Sequence, residues 1–235
     1  MGNDEVPATT AACAIFDMDG LLIDSEPVWF KVQQAALEQL YGIELKVAQQ
    51  QQFQGASSQV FCTAMAAAYP NHGIVADTLL ETLLTLMYEA VEEAPLLAGA
   101  QAVLQHLAEQ GIPIAIASSS PLRFIEKVMR RHHITVQAIA SGEEVPQSKP
   151  HPAVFELAAK RLEVAPWQCR VWEDSINGVI AAKAAGMEVV AVPEHHHPQP
   201  QKFAIADYIH QSLSESLLCP EAMAFDKTYF VKKVC

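Results

Sequence analysis

Cys13-Ala14-Ile15-Phe16-Asp17-Met18-Asp19-Gly20 decides how this chain is read. An apolar run of this length, ended by a turn signal, predicts a short buried strand. Such a strand delivers whatever follows it to the rim of a sheet, where open α/β folds bind their ligands. Here it delivers two carboxylates. Positions i and i+2 of a strand point the same way, so Asp17 and Asp19 can face one pocket. Two such groups repel each other unless a cation or a proton intervenes. The pair therefore points to Mg²⁺, a hard cation that takes oxygen ligands and keeps several waters. A calcium loop of the EF-hand type does not fit, because Leu21 and Asp24 stand where a ligand and a glycine belong.

Outward from this stretch, apolar and β-branched runs recur at 112–117, 135–140, 169–172 and 188–192. Helical patterns over 100–110, 122–132, 153–162 and 176–185 alternate with them, and Gly111 and Gly186 stand where helix-ending glycines do. Alternation of this kind predicts a doubly wound parallel sheet, a Rossmann-like α/β core. Residues 26–95 break the rhythm with consecutive helical patterns at 27–41, 58–69 and 77–93. The expected organisation is a discontinuous core over 10–24 and 96–219, an inserted helical cap over 25–95 and a tail over 220–235. The crossings at Asp24–Glu26 and Pro95–Gly99 are candidate hinges.

Composition narrows the function classes. The 235 residues are 51% hydrophobic and 18% charged, enough for a sizeable core and incompatible with general disorder. A formal net charge of −12 argues against nucleic acid as a partner. It leaves room for a small phosphorylated substrate, since a lysine, a metal and a helix terminus can reverse the sign inside one pocket. The five cysteines contain no Cys-x-x-Cys pair and suit reduced thiols. No apolar run is long enough to span a membrane, and Asp4 and Glu5 stand where a leader would be basic, so a cytoplasmic location is expected. A monomer is the expected state, with a weak dimer as its alternative.

Three further motifs follow strands. Ser118-Ser119-Ser120-Pro121 ends one of them; Ser118 is placed to hold an anion, while Ser120 and Pro121 read as the N-cap and first residue of the next helix. Ser148-Lys149-Pro150-His151-Pro152 places an ammonium at a loop-to-helix junction, with His151 as a helix-entry residue. Trp172-Glu173-Asp174-Ser175 ends another strand in adjacent carboxylates, which point to opposite faces if the strand continues. Either Glu173 or Asp174 can then ligate a metal directly while the other acts through water.

Taken in order, Asp-x-Asp-Gly, strand-Ser, Ser-Lys-Pro and Glu-Asp-Ser resemble the haloacid dehalogenase superfamily. The stretch from Phe16 to Pro27 is similar to the subgroup of β-phosphoglucomutase and small sugar phosphatases, and more narrowly to hexitol-phosphate and 2-deoxyglucose-6-phosphate phosphatases. The resemblance implies a phosphatase of small sugar or polyol phosphates in which Asp17 is the nucleophile and Asp19 the acid and base. It also implies Mg²⁺ held by the Asp17 carboxylate, the Asp19 carbonyl and Asp174 with Glu173 in support, and phosphoryl oxygens held by Ser118 and Lys149. Substrate contacts are expected from Glu26, Trp29, Gln54, Gly55, Ser58 and Ser119, with a cap that closes over the site.

In the mutase subgroup a histidine and an arginine occupy the positions that Trp29 and Ser58 appear at here, and neither residue carries a cation, which favours hydrolysis. A sugar-phosphate isomerase and a non-catalytic phosphosugar-binding protein are the alternatives. The cluster His195-His196-His197 and the tail from Phe225 are not absorbed by this reading.

Overall fold

The apolar runs show no regular polar alternation apart from single residues such as Gln137 and Arg170, and such runs are stable as strands only when both faces of a sheet are covered. The structure, a computed structural model, describes residues 11–46, 49–50, 53, 57–193 and 200–226. The runs form β1 (Cys13–Phe16), β2 (Ile114–Ser118), β3 (Ala138–Ser141), β4 (Cys169–Glu173) and β5 (Glu188–Ala191). A two-residue β6 (Tyr208–Ile209) completes a parallel sheet of order β3-β2-β1-β4-β5-β6. The sequence pattern missed β6 because two residues are too short for a period to show. The third strand starts later than its apolar run, at Ala138, and residues 135–137 are an irregular connection from the preceding helix. His133 turns left-handed (φ 53°) and the Ile134 N–H closes back on the Met129 carbonyl at 2.9 Å.

The chain divides into two compact units, residues 1–23 with 96–235, and residues 24–95. In the smaller unit, α1 (Glu26–Tyr41), α2 (Ser58–Ala68) and α3 (Ala76–Ala90) are its helices of more than one turn among the described residues. The pattern over 77–93 covers α3 and a short 3₁₀ turn, Val91–Glu93. Helix α3 packs against both α1 and α2, burying Leu79, Leu83 and Met87. In the larger unit α4 (Ala100–Glu109), α5 (Leu122–Arg131), α6 (Ala153–Arg161), α7 (Ile176–Ala184) and the short α8 (Leu213–Ser216) accompany the sheet. No helix among the described residues is long and apolar enough to cross a membrane.

The two sheet faces are built differently. Cys13, Ile15, Ala115, Ala117, Val171 and Val189 pack with α6 and α7 in one apolar cluster. The opposite face carries Phe16 stacked on Trp172, centroids 4.7 Å apart, and beside them a fully buried arginine. Arg170 pairs with Glu188 at 2.7 Å and donates to the carbonyls of Ala222 (2.6 Å) and Ala224 (2.9 Å). Phe225 lies 4.9 Å from its guanidinium and also stacks near Trp172. The Asp226 N–H reaches the Ala11 carbonyl at 2.7 Å, so the described part of the tail is a component of this face.

A buried cation whose partners are removed is strongly destabilising, by about 3–5 kcal/mol. Arg170→Ala should therefore lower unfolding free energy by about 3 kcal/mol in denaturant titration, because it strands Glu188 and two carbonyls. In a chain ending at Cys219 the same substitution should cost clearly less, since two of its partners are already gone. Equal costs in both backgrounds would show that Arg170 does not anchor the tail.

Candidate active site

β1 lies between β2 and β4, where the order of strands reverses along the sheet. Strand ends diverge from their crossovers at such a point and leave a crevice. The chain places Asp17 directly after β1, Ser118 at the end of β2 and Glu173 at the end of β4. Register keeps the first and last of these level, with Phe16 paired to Trp172 and the Asp17 N–H bonded to the Trp172 carbonyl at 3.0 Å.

Lys149 reaches this rim from the loop before α6. Its ammonium donates to Asp17 Oδ1 at 2.6 Å and to the Ala117 carbonyl at 3.2 Å, and lies 3.5 Å from Glu173 Oε1. The ring of Phe155 covers it at 4.6 Å. Burial works against the lysine's charge, yet Asp17, Glu173 and Asp174 outweigh it and hold the ammonium well above its usual pKa. The carboxyls feel the crowding in the opposite sense. Burial, then Glu173, raises Asp17 well above the ordinary carboxylate range; Asp19 adds to this while Lys149 pulls it back. Asp174 is raised likewise by burial, Glu173 and Asp17, with Lys149 opposing.

Asp17, Glu173 and Asp174 each offer an oxygen within 4.8 Å of the others. Adjacent residues of a continuing strand could not converge in this way. β4 ends at Glu173, so Asp174 is free of the strand's alternation and turns to the same side. Two glycines make the space. Gly20 adopts φ 80°, and a Cβ there would collide with Asp174; a Cβ on Gly178 would collide with Glu173. Ser175 completes the arrangement by donating to Glu173 Oε1 at 2.6 Å while accepting the Gly178 N–H at 3.0 Å as the N-cap of α7. Glu173 Oε2 is buried without a hydrogen-bond partner among the described residues. A divalent cation suits these residues: the donors are all hard oxygens, one is an orphan, and added positive charge relieves the shifts on Asp17 and Asp174.

Asp19 stands apart from the three-oxygen group. Its Oδ2 accepts hydroxyls from Ser120 at 2.7 Å and Ser118 at 3.2 Å. The sequence reading of Ser120 as a helix cap is corrected here. Pro121, not Ser120, is the N-cap residue of α5, and the Leu122 N–H goes to Glu143 Oε2 at 3.2 Å. Pro121 keeps an extended backbone (ψ 141°), so the helix begins one residue later and the Ser120 hydroxyl goes to Asp19 instead. His151 does sit at a helix entry, its Nδ1 accepting the Ala153 N–H at 3.2 Å.

The structure thus gathers Asp17, Asp19, Ser118, Lys149, Glu173 and Asp174 within one unit. Ser119, in the same unit, is exposed. Glu26 and Trp29 stand on α1 and Ser58 opens α2, all in the other unit. Gln54, Gly55 and the cluster His195–His197 lie outside the described residues. Sequence reasoning missed Ser120 and Ser175 as partners of acidic groups; serines two residues or fewer from a motif carboxylate, or one strand away, were the available signal.

Residues 14–192 match the haloacid dehalogenase-like hydrolase family. Hexitol phosphatase B of Escherichia coli K12 is 36% identical over 208 residues, covering 86% of this chain and 92% of that protein. Among solved structures, a putative β-phosphoglucomutase from Thermotoga maritima is 25% identical with a TM-score of 0.70, covering 84% of this chain and 93% of its own. CbbY from Rhodobacter sphaeroides, solved in complex with phosphate, has a TM-score of 0.73 at 22% identity, covering 88% and 96%. The chain belongs to the haloacid dehalogenase-like hydrolase family.

Proposed function

We propose that this protein is a Mg²⁺-dependent phosphatase of small sugar or sugar-alcohol phosphates that works through an aspartyl-phosphate on Asp17. One observation carries the reading: the Asp17 carboxylate is buried, ion-paired with Lys149 at 2.6 Å, and grouped with the oxygens of Glu173 and Asp174. Burial and Glu173 oppose the charge on Asp17 and Lys149 works against them; a carboxylate ionised in this setting is a nucleophile shielded from bulk water. The 36% identity to a hexitol phosphatase over most of both chains supports the substrate class.

In the proposed reaction an Asp17 oxygen attacks phosphorus and the bond to the sugar oxygen breaks. Asp19 gives its proton to that departing oxygen. A water then attacks the phosphoryl group, Asp19 takes the proton back, and Asp17 is released with inorganic phosphate. Lys149 counters charge on the transferring group, which is most of what a protein supplies to phosphoryl transfer. Ser118, one residue past Ala117 on β2, offers a hydroxyl to a phosphoryl oxygen. Asp17, the Asp19 carbonyl and Asp174 would hold Mg²⁺, with Glu173 in support; when bound, the ion supplies charge neutralisation for the phosphoryl oxygens. Trp29 and Ser58, in the helical unit, are not cations, where the mutase subgroup carries a histidine and an arginine for a bisphosphate intermediate, which supports hydrolysis over isomerisation.

With a panel of phosphorylated hexoses, deoxyhexoses, hexitols and glycerol, the protein should release inorganic phosphate, and chelation of divalent metal should abolish release. Interconversion of isomers without phosphate release would establish the mutase instead. Asp17→Asn should reduce turnover by about a thousandfold or more. Asp174→Asn should raise the Mg²⁺ concentration needed for half-maximal rate by about tenfold or more, because it removes one of few charged oxygens. A magnesium titration unchanged by that substitution would remove Asp174 from the metal site.

A further inference from the structure

Asp19 is held by one oxygen and not by the other. Oδ2 accepts both the Ser120 and Ser118 hydroxyls, whereas Oδ1 is buried and has no hydrogen-bond partner among the described residues. An oxygen that already accepts two hydroxyls has its lone pairs engaged, so a proton carried by Asp19 belongs on Oδ1. We propose that Ser120 is a positioning residue for Asp19, its hydroxyl fixing Oδ2 so that Oδ1 alone exchanges the proton with substrate and water. This rests on the phosphatase reading above. In the first step the Oδ1–H bond breaks and the leaving alkoxide gains the proton as its bond to phosphorus breaks. In the second a water O–H bond breaks and Oδ1–H forms again as the water oxygen bonds phosphorus.

Ser120 is built to hold a position. Its N–H donates to Ser118 Oγ at 3.0 Å, and its carbonyl accepts the hydroxyl of Ser141 at 2.7 Å. Ser141 is fully buried at the end of β3 and is the register partner of Ser118. The next residue, Gly142, lies under this loop so closely that a Cβ would come 2.8 Å from the Ser119 carbonyl oxygen. Its hydroxyl, N–H and carbonyl are thus all engaged, and none of these bonds serves α5, whose first amide is satisfied by Glu143. Ser118 makes the longer bond to Asp19 and is also offered to the phosphoryl group, so Ser120 is the hydroxyl left to hold Asp19 while substrate is bound.

The test compares Ser120→Ala and Ser120→Thr with the parent protein in steady-state hydrolysis of a hexitol phosphate. Alanine should lower kcat by about tenfold, the usual scale for one hydrogen bond to a charged group, with KM within about twofold. Threonine, which keeps the hydroxyl, should restore most of kcat. An unchanged kcat in the alanine variant, or a rise in KM at constant kcat, overturns the proposal; the latter would make Ser120 a substrate ligand. A crystal structure of Ser120→Ala tests the same point without turnover. The Asp19 carboxylate should leave its place; if it stays, the positioning role fails. Failure of the parent protein to hydrolyse any phosphate ester would instead refute the phosphatase reading, so the two failures are distinguishable.

Discussion

The ion pair between Lys149 and Asp17 is the interaction on which the site depends. Four carboxylates, those of Asp17, Asp19, Glu173 and Asp174, crowd the carboxyl edge of two neighbouring strands, and Lys149 is the cation that touches two of them. Burial of like charges is unfavourable unless they are paired. Lys149 offsets part of that cost by neutralising the group that must stay ionised. The remaining excess of negative charge is what makes the cluster attractive to a divalent cation. The same excess forces the neighbouring chemistry: Ser175 and the two serines on Asp19 each donate to a carboxylate oxygen, and Gly20 and Gly178 give the acidic groups room to turn inward.

The scaffold has to hold that arrangement against its own repulsion. β1 is central in the sheet, with parallel partners on both sides, and both carboxylate-bearing strands are fully buried along their length. On one face the support is ordinary aliphatic packing against α6 and α7. On the other, the aromatic rings of Phe16 and Trp172 precede Asp17 and Glu173 directly in sequence, and their stack ties the two site strands together beneath the carboxylates. The tail covers this face through Phe225 and through carbonyls fixed by Arg170. Stability and site geometry therefore share residues one position apart.

What could be read from the sequence follows the length and regularity of the signals. The five longer strands and four core helices were legible because apolar runs and helical periods repeat, and punctuation by Gly111 and Gly186 was visible. The acidic motifs were legible because two carboxylates after a strand are unusual without a cation. β6 was not, having only two residues, nor was Arg170, hidden inside a run that otherwise read as apolar. Ser120 was misread because Ser-Pro before a helix has an ordinary local meaning; only the neighbourhood of β1 and β3 shows where its hydroxyl goes. The convergence of Glu173 and Asp174 depended on where β4 stops, a boundary that periodicity locates poorly.

The central claim is that Asp17, paired with Lys149 at the end of β1, forms a covalent bond to phosphorus. Rapid acid quench during turnover of a radiolabelled sugar phosphate, followed by proteolysis and mapping of the labelled peptide, tests it directly. The account predicts an acyl-phosphate, labile to hydroxylamine, on the peptide that contains Asp17, and its loss in Asp17→Asn. Label on a histidine or serine, or phosphate release at full rate with no labelled protein in the parent and in Asp17→Asn alike, would contradict it.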